Sequence, residues 1–168
     1  FLDAKAAGLL VKGGGHAMAG GFTILPEKIE EFRDFLNTHV AAQMEGECAV
    51  TTQIDGVLSV RGAKVDWVRM LHDNIGPFGQ GHPEPVFAFP GVRVHKADIV
   101  GTDHVRVMLG DWEGGAWMKA VAFKSAGTDL GRALLEGPAG APMHLAGTLK
   151  IDGWGGRDKV EMHIQDGA

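Results

Sequence analysis

The chain has 168 residues, 45% of them apolar, a formal net charge of −5 and one cysteine, Cys48. That length suits one ordinary domain or two small ones, and the apolar fraction excludes wholesale disorder. The charge argues against a uniformly basic nucleic-acid binder while leaving room for a local basic face. A lone cysteine excludes an intrachain disulfide and a cysteine-based zinc site, and fits a reducing cytoplasm.

The opening "FLDAKAAGLL" has no basic leader, no initiating Met and no membrane-length apolar run. It reads as the middle of a helix in a piece cut from something longer. Leu2, Ala6, Leu9 and Leu10 fall at helical spacing over 2–12, and Gly13–Gly15 stand where C-cap glycines belong. "FTIL" reads as a short buried strand. Pro26 and Glu27 open a helix over 27–44, with Ile29, Phe32, Phe35, Leu36 and Val40 as its apolar stripe. "CAVTTQIDGVLSV" (48–60) alternates loosely and reads as a strand. A second helix over 63–75 places Val65, Val68, Leu71 and Ile75 on one face and stops at Gly76-Pro77. "GPFGQGHPEP" (76–85), with three glycines and three prolines, fits neither a helix nor a central strand. It is the best domain boundary in the chain.

Beyond it, 86–101, 104–111 and 116–123 read as strands, with "WEGG" as a hairpin turn. Val105, Val107 and Leu109 alternate with Arg106 and Met108, the period of a half-buried strand. Ser125–Glu136 reads as a helix, ended by Gly137-Pro138. Residues 143–152 and 159–166 form a closing hairpin around "GWGGR". Five strands with one helix between the third and fourth suggest an oligonucleotide-binding (OB) barrel in an α+β chain. A small open sheet with one helix stays open as an alternative. The chain divides into 1–46, a connecting strand, helix and joint at 47–85, and the barrel at 86–168.

Two constellations bear on chemistry. Gly13, Gly14, Gly15 and His16 precede a short Ala/Met stretch. If residues 16–19 begin a helix, its free N–H groups would make an anion site, with His16 as a further donor. The blander reading is a C-cap turn beside a satisfied histidine, since the P-loop lysine is missing. On the barrel, Arg106, Trp117, Lys119, Lys150, Trp154, Arg157 and Lys159 are the residue types that stack bases and follow phosphates. Against this, strand tryptophans are usually core and isolated cations usually solubilise. Residues 86–168 hold nine Lys/Arg and ten Asp/Glu, a net of −1, so composition allows weak, salt-sensitive binding at best. The eight histidines show no metal-ligand spacing, and no nucleophile–histidine–acid set stands out.

"GGGHAMAGGFTI" resembles the glycine–histidine motif of the DHH-associated domain, with Gly20 in place of an alanine. "IGPFGQGHPEPVF" (75–87) is similar to the joint before the OB domain in the RecJ family, with His82 where asparagine is usual. That family comprises single-strand-specific 5′→3′ DNA exonucleases of the DHH phosphoesterase superfamily. The resemblance implies that residues 1–46 are the later part of a DHH-associated domain and that Gly13–Gly15 and His16 face the substrate near the scissile phosphate. It implies Mn²⁺ or Mg²⁺ in the parent enzyme, held by a catalytic domain whose Asp-His-His triplet does not occur here. The chain alone would then hold single-stranded DNA without cutting it. Residues 1–45 would pack loosely or pair with another copy. The implied setting is cytoplasmic DNA repair and recombination, with no membrane and with other repair proteins as further partners. Two rivals remain: a DHH phosphoesterase acting on short oligonucleotides or cyclic dinucleotides, and an OB-type protein-interaction module.

Overall fold

The computed structural model describes residues 1–16, 18–43, 51–111, 114–153 and 155–168. Cys48, Trp112, Glu113, Trp154 and the first residues of the expected strand at 48–60 lie outside the described residues. The chain forms two compact units, Phe1–Val50 and Thr51–Ala168.

In the first unit helix α1 spans only Leu2–Ala6. The expected helix over 2–12 stops early because Gly8 takes a left-handed φ of 71°, which ends the helical hydrogen-bond ladder. Gly13–Gly15 are therefore not a cap. They lie in strand β1 (Lys12–His16), which pairs antiparallel with β2 (Ala19–Thr23). His16 faces Ala19 across the hairpin end, so the short helix expected at 16–19 does not form. Nor is "FTIL" buried: β2 is exposed throughout, because a two-stranded ribbon has too little cover for both faces. Phe22 packs edge-on against Phe32 at 5.0 Å and tilts over Phe1 at 5.4 Å. Helix α2 (Ile29–Gln43), entered through a 3₁₀ turn at Pro26–Lys28, sends Phe32 into a small core with Ala4, Leu9 and Leu10. Ile29 and Val40, expected on its apolar stripe, are exposed.

The second unit begins with an extended stretch. Within 51–60 only β3 (Gly56–Val57) pairs, parallel to the start of the next strand, so the strand expected over 48–60 shrinks to two residues. The Asp55 carboxylate accepts from Val86 N–H at 2.8 Å, which ties this edge down. Helix α3 (Val65–Ile75) buries Val68 completely and lays Trp67 edge-on against Phe87 at 5.3 Å. At its end His82 Nε2 donates to Ile75 O at 2.8 Å, satisfying a last-turn carbonyl.

Five strands follow: β4 (Phe87–Val100), β5 (His104–Gly110), β6 (Trp117–Ala122), β7 (Met143–Asp152) and β8 (Lys159–Gly167). They pair in the order β4-β5-β6-β8-β7, and β7 returns to β4. Strand order had left closure open; this last pairing closes an OB barrel. β4 serves both neighbours because Pro90 and Gly91, the latter at φ 64°, sit at a break in register. Its first part pairs with β7 and its second with β5. Alternation packs the interior: Val105, Val107 and Leu109 are 0%, 1% and 0% exposed, alongside Phe89, Leu145, Leu149 and Met162. Helix α4 (Asp129–Glu136) lies between β6 and β7, capped by Thr128 Oγ1 accepting from Gly131 N–H at 3.1 Å, and buries Leu134. Among the described residues no helix is long and apolar enough to cross a membrane.

Candidate functional site

The period of two that fills the barrel turns the other residues outward. Arg106, Met108, Trp117 and Lys119 therefore share the outer face of β5 and β6. Over part of that face runs a groove of about 1030 Å³, walled by the 60–65 segment on one side and by Asp152, Asp158 and Lys159 on the other.

The 60–65 wall is held by a carboxylate that sequence reasoning missed. Asp111, at the end of β5, accepts from Val60 N–H at 2.8 Å and from Arg61 N–H at 3.1 Å. Arg61 in turn donates to Gly114 O at 3.2 Å. Across the groove Arg69 of α3 pairs with Asp158 at 2.5 Å, fastening the helix to the turn before β8.

On the floor, Trp117 is 58% exposed and its ring lies 4.1 Å from that of His95 on β4. Gly110 makes the contact possible, since a Cβ there would lie 2.6 Å from His95 Nε2. An exposed indole backed by an imidazole presents a flat apolar surface to solvent, the opposite of the core position common for strand tryptophans.

The cations divide into two groups. Lys119 donates to Asp152 Oδ2 and Glu161 Oε2, each at 2.5 Å. These bonds, Asp152 first, raise its pKa above the ordinary 10.5. The resulting stabilisation is complete below the ordinary lysine value and fades as pH rises through the raised one. The stability difference between the native chain and Lys119→Met should therefore be constant near neutrality and shrink past pH 10.5, read from urea midpoints. A flat difference would show no proton-linked contribution from this ammonium. Arg106 lies 3.4 Å from Asp98, whose carboxyl is held below its usual range chiefly by a hydrogen bond from Lys96.

Lys64, Arg157 and Lys159, by contrast, enter no ion pair among the described residues. Asp152 and Asp158 both line the groove, and both are already paired. Lys119 is shared by two carboxylates, so that cluster keeps one negative charge, and Lys64 and Lys159 are the lining cations that enter no ion pair among the described residues.

The fold thus gathers Trp117, Lys119 and Lys159 at one site, while Arg106 and Arg157 lie outside the groove lining. Trp154 is outside the described residues. Lys150 serves elsewhere: it pairs with Glu84 Oε2 at 2.5 Å and braces the 76–85 joint against β7. His72 Nε2 donates to Leu149 O at 3.1 Å on the same brace, leaving Glu84 Oε1, 3.3 Å away, without a hydrogen bond of its own. His95 and Asp111 escaped sequence reasoning because each matters through a contact with a distant segment, and Lys64 because the fold alone brings it to the groove.

The first unit carries the other constellation. Strand alternation puts Lys12, Gly14 and His16 on one face of the hairpin, across from Thr23, Gly21 and Ala19. Nothing lies within 4 Å of a Cβ built at Gly14 or Gly21, so bare backbone is flanked by a lysine and an imidazole. His16 Nδ1 accepts from Met18 N–H at 3.2 Å, which leaves Nε2 to carry the ring proton. Among the described residues no group of three or more His, Cys, Asp or Glu side chains gathers to hold a metal ion.

A family model described as the RecJ OB domain matches residues 54–166, the groove and barrel together. The chain belongs to the RecJ OB-domain family. Two relatives are both named single-stranded-DNA-specific exonuclease RecJ. That of Dickeya dadantii is 29% identical over 98% of this chain and 27% of its own length. That of Salmonella typhimurium is 33% identical over 73% of this chain and 21% of its own length. The chain therefore spans about a quarter of these RecJ proteins. A crystal structure of RecJ with Mn²⁺ from Thermus thermophilus matches with a TM-score of 0.61 at 22% identity, covering 97% of this chain and 22% of that one. This last match is a likeness of fold.

Proposed function

We propose that this RecJ-family chain holds single-stranded DNA in the Trp117 groove as the substrate-positioning part of a 5′→3′ exonuclease. Trp117 carries the reading: a large indole kept exposed, in a groove whose lining includes Lys64 and Lys159, neither in an ion pair among the described residues. A flat ring stacks any base and free ammonium groups follow phosphates, the pairing by which OB folds bind single strands. In the parent, Mn²⁺ or Mg²⁺ would activate water and neutralise charge at the scissile phosphate. The chain's own part is to grip the polyanion, with Lys12, the Gly13–Gly15 backbone, open at Gly14, and His16 Nε2 meeting a phosphate on the hairpin. On its own it binds without cutting. The setting we propose is cytoplasmic DNA repair and recombination; the relatives' names, single-stranded-DNA-specific exonuclease, support the single-stranded substrate.

A titration of labelled oligo-dT at several salt concentrations tests this. Affinity should fall as salt rises, with a slope of about −0.7 per phosphate contacted. Removing Lys64 and Lys159 together should flatten that slope by roughly 1.4. A chain that binds no oligonucleotide at low salt would favour a protein-interaction module instead. An unchanged slope in the double variant would move the phosphates off this groove.

A further inference from the structure

The turn that follows strand β6 carries a second exposed aromatic. Phe123, just past Ala122, is 52% exposed. Trp117 and Phe123 are the two exposed large aromatics of the second unit among its described residues. Alternation turns 117, 119 and 121 outward, and Phe123, in the turn just past the strand, lies against His104 and His163 of the neighbouring strands. Each ring is backed by imidazole. Phe123 stands edge-on to His163 at 4.9 Å and to His104 at 5.2 Å, much as Trp117 rests on His95.

The backbone here is strained in the way functional loops often are. Lys124 has a φ of 53°, the one positive value among the described non-glycine residues. Its amide donates to His104 Nδ1 at 3.0 Å, and Asp103 Oδ1 lies 2.9 Å from the same nitrogen. The Lys124 ammonium is exposed and enters no ion pair among the described residues. Beside Phe123 opens a groove of about 530 Å³ lined also by Lys150, Thr148, His163 and Gln165. Lys150, out of reach of the Trp117 groove, belongs to this one.

We propose that Phe123, backed by His163 and His104 and flanked by Lys124, is a second base-stacking station, reached by the DNA strand that occupies the Trp117 groove. The proposal rests on the reading of that groove given above. Its occupant is a nucleobase several nucleotides along from the one on Trp117, with Lys119 between the two. One ring stands at the start of β6 and the other in the turn just past its end, and a cation without an ion pair among the described residues near each suits a continuous polyanion.

The test uses the full chain with two oligothymidylates, one of about four nucleotides and one of about twelve, the lower and upper parts of the range of OB site sizes. Phe123→Ala should weaken the longer oligomer by about fivefold or more and leave the shorter within about twofold. Phe123→Leu should behave like alanine and Phe123→Trp like the native ring. These two also guard against a folding defect in the alanine variant, with melting temperature as the check. Equal losses on both lengths, no loss on either, or a leucine variant that binds like the native chain would overturn the station. Trp117→Ala, run in parallel, separates the two readings. If it weakens both oligomers while Phe123→Ala weakens neither, the groove stands and the station falls. If it weakens neither, both fall.

Discussion

Trp117→Ala is expected to weaken oligo-dT binding by about 1–3 kcal/mol, roughly five- to 160-fold, with little change in thermal stability. The indole is 58% exposed, so its removal takes little from the core. What disappears is the surface on which a base would lie, and His95, whose ring sits 4.1 Å away, loses its neighbour. Trp117→Phe should recover much of the affinity, because stacking needs a π-face and not a particular hydrogen bond. Fluorescence anisotropy of a labelled oligomer, beside a melting curve for each variant, reads both quantities. Unaltered affinity in the alanine variant would leave the exposed indole without a role in DNA binding and would remove the observation on which the proposed function stands.

Gly147→Ala, a change of one methyl group, should destabilise the second unit by about 1–3 kcal/mol or more. Strand β7 has to pair with β8 on one edge and β4 on the other, and Gly147 faces Ile164 and Phe87 at a step in register. A Cβ there would lie 2.1 Å from His163 O and 2.9 Å from His163 C. Both atoms are backbone in the partner strand, so no rotamer change relieves the clash and one strand must shift where the barrel closes. At about 4 °C per kcal/mol the melting temperature should fall by roughly 4–12 °C. Gly127→Ala is the control, since nothing lies within 4 Å of its added methyl and its φ is not positive. Equal melting temperatures for the two variants would mean that β7 has slack at this step.

The barrel strands were legible because their evidence is local. Val105, Val107 and Leu109 alternate with outward residues, and 153–157 and 137–138 mark the breaks on either side of β7. The α+β class and the OB barrel followed from that pattern, and the RecJ likeness from two quoted motifs. The glycine hairpin was illegible for the complementary reason. Gly13–Gly15 and Gly20–Gly21 have no side chains with which to display a period, so their pairing shows only once both strands are in place. Leu9 and Leu10 continue the spacing of α1 and lengthened it on paper, whereas the left-handed Gly8 ends it in the fold. At 48–60 loose alternation imitated a strand that, within the described residues, finds a partner only at Gly56–Val57.

For the site, residue type was legible and availability was not. Seven barrel residues looked alike as potential DNA contacts, yet Lys119 is claimed by Asp152, 33 positions away, and Lys150 by Glu84, 66 positions away. Lys64, outside the expected barrel, lines the groove and, like Lys159, enters no ion pair among the described residues. Alternation and turn chemistry act between near neighbours, and a linear reading can recover them. Which charges neutralise one another, and which ring is left bare, depends on segments that meet only when β7 closes onto β4, and the tertiary structure alone decided it.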